Sequence, residues 1–444
     1  MAGRARPSLP RARGTCRDRR RGRSSGEHGT LSDRIFRGSL SSRALGVRQR
    51  SRARDVSGIR DGGPRLDRKA RTKARRERPR SRAGQKRQGA TSKVIRLAVL
   101  PGDGVGPEVM EGPTDLLRKL ASQKRLELTG PWPIGASSYA STGEGLPDET
   151  LRACEEADAI FLGAVGEYPG FSAGHYRTEE SLLRLRVHFD FNISVRQVWR
   201  GDDPPLTIVR NLLDGAYGGA DIREESDGEQ PASDLFRLTP QHIEAIVDVA
   251  TRYLDDTCGL WSVDKANLLA TSRLWRKVVE RVTTRKGLDC RHLYIDRCAY
   301  ELVRYDLPNA VIVTEGLFGD ILSDLAAGRA GSIALCSSAS IHPGEPVNGR
   351  CVGLFEPIHG SAPRLVGKNI ANPTGAYLGL IAALEWFPAT IDLARTLRRA
   401  LAEALSAEPK TKDIARDGGP FIATKPFAQR VNERFMEALL DNDA

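Results

Sequence analysis

The chain has 444 residues, 40% hydrophobic and 28% charged, with a formal net charge of +12. That composition supports a large core in two or three domains and excludes a wholly disordered chain. No apolar run approaches the ~20 residues of a membrane helix, and no apolar signal core follows Met1.

The charge is unevenly divided. Residues 1–93 hold 30 of the 68 Lys and Arg but 7 of the 56 Asp and Glu, a net of +23. The remainder carries 38 basic and 49 acidic side chains, a net of −11. The arm is rich in Arg, Gly and Ser, with Phe36 its only aromatic, so it cannot bury enough surface to offset the entropy of ordering. Three readings compete: a polyanion-binding arm, an organelle-targeting peptide, or a start-site error with the product beginning near Ser92 or Lys93. The last is favoured, because a strand pattern begins at once with Val94. Nucleic acid is not expected as a partner outside this arm, and the missing aromatics argue against base stacking within it. The seven cysteines form no CxxC pair and are odd in number, which points to a reduced, cytoplasmic setting.

In chain order, VIRLAVL (94–100) reads as a buried strand. The turn PGDGVGPEV follows, and Pro107 is well placed to open a helix through Leu120. The glycines do not form GxGxxG, so no Rossmann dinucleotide loop is read here. Residues 157–166 (ADAIFLGAVG) are a second strand, 167–177 a Gly- and Tyr-rich loop, and Glu179 to Val187 a helix. LTIVR (206–210) is a strand, 221–235 a polar loop, and Pro240 to Leu254 an amphipathic helix. LWSVDKAN (260–267) is a strand leading to a helix from Leu269 to Arg281, and LYIDRCAYELVR (293–304) repeats that order. Asp296, at the end of LYID, reads as a helix N-cap. Alternation throughout predicts an α/β fold with a largely parallel sheet.

The stretch VTEGLFGDILSDLAAG (313–328) is the most informative. An apolar strand runs into a helix on which Asp320 and Asp324 stand four apart, on one face. Such a pair alone is usually a solvated helix face; it also suits a hard divalent cation. A polar helix start after a buried strand is where α/β proteins place chemistry. Arg186, Arg196 and Arg210 lie near strand and helix ends and suit a substrate with several carboxylates. Lys265 in VDKAN and Tyr217 in RNLLDGAYGG are acid–base candidates, although either alone reads as an ordinary surface side chain.

These motifs, with LPGDGVGPEV, GLFEPIHGSAP and KNIANPTGA, resemble the decarboxylating β-hydroxyacid dehydrogenases, the isocitrate and isopropylmalate dehydrogenases and their relatives. The resemblance covers about residues 94–444. It implies a two-domain fold of that family, not a Rossmann fold. Residues 94–191 plus 332–444 would form a discontinuous cofactor-binding domain, and 192–331 a central domain carrying the contact of a homodimer. It implies that Asp296 joins Asp320 and Asp324 on Mg²⁺ or Mn²⁺, donated across the dimer interface. Arg297 departs from the family's small residue, and would either disturb the ion or point along its helix. Gln197 replaces the proline of the family's substrate motif. The resemblance assigns substrate binding to Leu182, Leu183, Arg186, Arg196, Arg210 and Asp296, and proton transfer to Lys265 and Tyr217. Glu356, His359, Gly360, Ser361, Ala362 and Asn372 would hold the adenosine half of NAD, and Asn267 would meet the nicotinamide. Arg364 stands where NAD-dependent relatives carry aspartate, so NADP is the second candidate, because arginine accommodates a 2′-phosphate. The apolar face of Leu182 and Leu183 favours 3-isopropylmalate, with tartrate, malate or isocitrate types as alternatives. A non-catalytic homologue binding nucleic acid through its arm is the alternative of another class.

Overall fold

The computed structural model describes residues 94–167, 179–201, 203–217, 234–342 and 351–443. The basic arm, nearly all of the loop 167–177 and most of the polar stretch 221–235 lie outside the described residues. β1 (Arg96–Gly102) leads through α1 (Gly106–Ser122) to β2 (Glu127–Thr129), α2 (Ala136–Thr142), α3 (Asp148–Glu156) and β3 (Ala159–Ala164). Then come α4 (Glu180–His188), β4 (Ile193–Arg200), β5 (Asp203–Asn211), α5 (Pro240–Ala250), β6 (Gly259–Asp264) and α6 (Ala270–Lys286). β7 (Cys290–Tyr294), α7 (Ile295–Arg304), β8 (Ala310–Thr314) and α8 (Gly316–Ala330) follow. The chain continues with β9 (Cys336–Ile341), β10 (Gly353–Pro357), α9 (Thr374–Glu385), α10 (Ile391–Ser406) and α11 (Thr424–Asp443).

All ten strands join one sheet in the order β2-β1-β3-β10-β9-β4-β5-β8-β6-β7. The two wings, β2-β1-β3-β10 and β5-β8-β6-β7, are parallel. The centre is not: β10 with β9, β9 with β4, and β4 with β5 all pair antiparallel. The expectation of a largely parallel sheet therefore holds, with the antiparallel pairings gathered at the centre. For β4 and β5 the reason is a hairpin: β4 turns straight back into β5 at Gly201, whose φ of 74° is left-handed, and such a short connection permits only antiparallel pairing. The stretch 353–376, which carries the motifs GLFEPIHGSAP and KNIANPTGA, begins with β10 and ends in α9.

Register defines what the central strands present. Glu356 of β10 and Arg196 of β4 both sit opposite Ser338 of β9. In the next row on that face, Ser194 of β4 sits between Ser340 of β9 and Arg210 of β5. Side chains two apart on a strand share a face, so these six residues look the same way. On one wing that face is covered by α4, whose Leu185 clusters with Leu100, Ile160 and Leu354. On the other it is covered by α7 and α8, where Leu302 and Leu322 cluster with Ile208 and Ile312. Between the two helical layers the sheet carries serines and charges in place of apolar side chains. The opposite face, with Val195, Val209, Ala339 and Phe355, belongs to the main core against α5, α6, α9 and α10.

Candidate active site

The cleft between those layers gathers the three arginines. Arg210 is next to last in β5 and is 5% exposed; its Nη2 donates to Asp320 Oδ1 at 2.7 Å and its Nη1 to Gly316 O at 3.2 Å. Arg196 donates to Ser323 Oγ at 2.6 Å and to Asp324 Oδ1 at 3.3 Å, and its Nη2 lies 3.0 Å from Asp320 Oδ1. Arg186 reaches in from α4 and donates to Glu356 Oε1 at 2.9 Å. The Nε of each arginine is enclosed and has no acceptor among the described residues. Burial, then the neighbouring Arg196 charge, pushes Arg210 down to about 10, against the pull of Asp320. Burial raises the Glu356 carboxyl, with the arginines opposing. Guanidinium groups this close repel unless anions lie among them, and Asp320, Asp324 and Glu356 fill that role.

α8 is set by its own entry. Glu315 caps it, accepting from Leu317 N–H at 2.9 Å and Phe318 N–H at 2.7 Å, which satisfies donors that a helix start leaves open. Gly319 then lets the helix settle on Arg210: a Cβ there would lie 2.8 Å from Arg210 Cβ and Cδ. Tyr217 O–H donates to Asp320 Oδ2 at 3.3 Å. Burial, and next the Asp320 charge, raises its phenol above the ordinary value.

Lys265 and Asp296 form a second cluster. Lys265 follows β6 and its Nζ donates to Asp296 Oδ1 at 2.5 Å. This hydrogen bond is the leading cause that holds the Asp296 carboxyl below its usual range. Asp296 is not the N-cap expected: β7 ends at Tyr294, which is itself the cap, and Asp296 stands inside the first turn of α7. There it still complements the helix dipole, while its side chain is taken by Lys265. Arg297 turns along the helix to Glu301 Oε1 at 2.7 Å and lies over Tyr300. Gln197 looks away from the cleft, into a cavity of about 380 Å³ on the opposite face with Tyr253, Phe355 and Trp386.

Among the described residues, no three His, Cys, Asp or Glu side chains converge on one point. Asp320 and Asp324 share a face of α8, whereas Asp296 belongs to the Lys265 cluster. As a donor set, three carboxylates fit a hard divalent ion, and one chain offers two of them together. Of the leucine pair, Leu182 is half-buried against the α4 cluster, one turn before Arg186. Leu183 is 47% exposed, beside Leu146, Leu151 and Val187. Neighbours on a helix point about 100° apart, and here Leu182 turns to the core while Leu183 turns to solvent.

The expected cofactor loop follows β10. Val105 N–H donates to Ser361 O at 2.8 Å. Gly104, at φ 58°, approaches so closely that a Cβ would lie 2.1 Å from that oxygen. Gly360 is exposed with nothing within 4 Å of where a Cβ would be, and Ala362 takes a left-handed φ of 40°. His359 Nδ1 lies 3.0 Å from Gly360 O, burial lowers the pKa of its imidazole, and Nε2 is enclosed without a partner among the described residues. An open glycine beside an orphaned ring nitrogen fits a flat ligand approaching the backbone. Arg364 and Asn267 are exposed. The Asn372 side chain is committed internally, to Asp413 Oδ2 and Thr374 N–H, both at 3.0 Å. Glu356 points to Arg186 rather than along this loop. Sequence reasoning passed over Ser323, Glu315 and Asp264. Ser323 and Asp264 sit beside Asp324 and Lys265, which it singled out, and Glu315 opens the helix of the aspartate pair; only the fold shows what each bonds.

The family model described as isocitrate/isopropylmalate dehydrogenase matches residues 96–431. The chain belongs to the isocitrate/isopropylmalate dehydrogenase family. A 3-isopropylmalate dehydrogenase of Geobacillus kaustophilus is 35% identical over 77% of this chain and 96% of the relative. One of Aquifex aeolicus is 36% identical over 79% and 99%. Among solved structures, a beta-decarboxylating dehydrogenase of Thermococcus kodakarensis matches at TM-score 0.65 and 29% identity, covering 79% of this chain and 99% of that one. An isocitrate dehydrogenase of Methylococcus capsulatus matches at TM-score 0.65 and 28% identity, covering 77% and 99%. As a member of the isocitrate/isopropylmalate dehydrogenase family the protein has that family's α/β fold and is an oxidoreductase, a decarboxylating dehydrogenase. No helix among the described residues is long and apolar enough to cross a membrane.

Proposed function

We propose that the protein oxidises and decarboxylates 3-isopropylmalate to 4-methyl-2-oxopentanoate and CO₂, with NAD and Mg²⁺ or Mn²⁺, in leucine biosynthesis. The convergence of Arg186, Arg196 and Arg210 beside the aspartate pair of α8 carries this reading. Three guanidinium groups match a substrate with two carboxylates, and Leu182, one turn before Arg186, offers an apolar side chain to the third substituent. The names of the curated relatives favour the same substrate.

Asp320, Asp324 and the Asp296 of a second subunit would hold the ion, and the Gly360 loop with His359 the cofactor. When bound, NAD accepts hydride and the ion supplies positive charge beside the substrate oxygens. The arginines bind and orient the carboxylates. Lys265 takes the proton of the C2 hydroxyl, and Tyr217 returns one to C3 after CO₂ departs. A homodimer follows from the split aspartate set. It is supported by exposed apolar side chains on both helices concerned, Tyr300 and Val303 on α7 and Leu317 and Ile321 on α8. In this reading 94–191 with 332–444 binds cofactor and 192–331 makes the dimer contact.

The test is a panel of 2-hydroxy-3-carboxy acids with NAD and NADP, with each metal. Isopropylmalate is expected to give the highest kcat/KM; a preference for isocitrate or malate, or no turnover at all, would overturn the assignment.

A further inference from the structure

Asp264, the residue before Lys265, takes part in a buried device that the mechanism above does not use. It ends β6 and is 1% exposed. Its Oδ1 accepts from Ala266 N–H at 2.8 Å and from Arg276 Nη2 at 2.9 Å; its Oδ2 accepts from Arg276 Nε at 2.9 Å. A guanidinium fork gripped by both carboxylate oxygens is fixed in orientation as well as in place. Arg276 comes from the second turn of α6, and its guanidinium also lies 5.2 Å over the ring of Tyr294. Tyr294 ends β7 and is the register partner of Asp264 in the adjacent parallel strand. One guanidinium therefore spans the ends of two neighbouring strands, and those ends lead directly to Lys265 and Asp296.

The Lys265 loop is fastened from its far side as well. Lys265 O accepts from Leu268 N–H and Leu269 N–H, both at 2.9 Å. Arg273 Nη1 donates to Ala266 O at 3.3 Å and Leu268 O at 3.2 Å. A buried ion pair is by itself weak evidence of a stabilising role. This one anchors the backbone N–H next to Lys265, so its effect falls on where that amine stands.

We propose that the Asp264–Arg276 pair is a positioning element that holds the Lys265 amine against Asp296 and so governs the chemical step rather than substrate affinity. The inference rests on the reading of Lys265 as proton acceptor. The arginines assigned to the substrate come from α4, β4 and β5, so a disturbance at Asp264 should reach kcat and spare KM.

The test uses the full chain with Arg276→Lys, which keeps the charge but loses the fork, and the neutral double variant Asp264→Asn/Arg276→Gln. Two quantities are measured: kcat and KM for 3-isopropylmalate, and the acylation rate of Lys265 by an N-hydroxysuccinimide acetate, mapped by peptide mass spectrometry. In both variants kcat is expected to fall about tenfold to a hundredfold, the scale of an ångström's misplacement, with KM little changed. Lys265 should be acylated faster while Lys425, paired with Glu111, keeps its rate. Should the double variant unfold, Arg276→Lys decides. Unchanged kcat and labelling in a folded variant, or a rise in KM at constant kcat, would overturn the proposal. Faster labelling in a protein whose wild type turns over no hydroxy acid would uphold the positioning and remove the function assigned to Lys265.

Discussion

Gly319→Ala sets two effects of known sign against each other. Alanine is favoured over glycine inside a helix by about 1 kcal/mol. The added methyl, however, meets Arg210 Cβ and Cδ at 2.8 Å and Thr314 Cγ2 at 3.0 Å. Arg210 and Thr314 are register partners on β5 and β8, so neither Cβ can retreat without moving the sheet. Overpacking of this kind costs about 1–3 kcal/mol, which cancels or exceeds the helix gain. The larger loss is in aim. Arg210 reaches Asp320 and Gly316 O only by passing under α8, and a lost charged hydrogen bond is worth about 1.5–3 kcal/mol. At about 1.4 kcal/mol per factor of ten, that is roughly tenfold to a hundredfold in kcat/KM. Steady-state kinetics with isopropylmalate at saturating NAD, alongside thermal unfolding, would measure both. The expectation is a raised KM with a small loss in Tm. A higher Tm with unchanged KM would show that Arg210 has room to spare, and the reasoning would fail.

Asp324→Asn should leave the fold intact, since its carboxylate is exposed and its ion pair among the described residues is with Arg196, yet abolish turnover and weaken Mn²⁺ binding in calorimetry; near-normal rates at limiting Mg²⁺ would refute the ligand assignment. Leu182→Ser should reduce kcat/KM for isopropylmalate by about 1–3 kcal/mol and leave malate untouched, while the exposed Leu183 tolerates the same change. Arg364→Asp should improve NAD use and suppress NADP use; a strictly NAD-selective wild type, unaltered by the substitution, would mean that Arg364 faces solvent.

What was legible in the sequence follows from what hydrophobic patterning encodes. α5 and the strands LTIVR and LWSVD carry apolar runs or a helical period, and the sequence places them close to their limits. The centre of the sheet was not. β9 reads CSSASI, and its serines are buried. Ser338 and Ser340 form the bed beneath the arginines, so a core strand lacks the apolar signal that would mark it. β4 was hidden for a related reason, its charged Arg196 and polar Ser194 facing the same cleft. The arginines, the aspartate pair, Lys265 and Tyr217 were recognisable from motif order. Their partners were not, because Arg186 meets Glu356 across 170 positions and Lys265 meets Asp296 from a neighbouring strand.

The antiparallel seam also constrains how the protein is made. During synthesis β4 emerges long before β9, its neighbour at the middle of the sheet. Until residues 336–341 leave the ribosome, β4 remains an unpaired edge, open to mispairing with other chains. Closing the seam joins segments more than 130 positions apart, the kind of non-local contact that slows folding. Arg196 and Glu356 come into line only when that seam closes, so the arginine-lined cleft is among the last features of the nascent chain to form. A chaperone that shields the β4 edge would therefore raise the yield of active enzyme more than the yield of soluble chain.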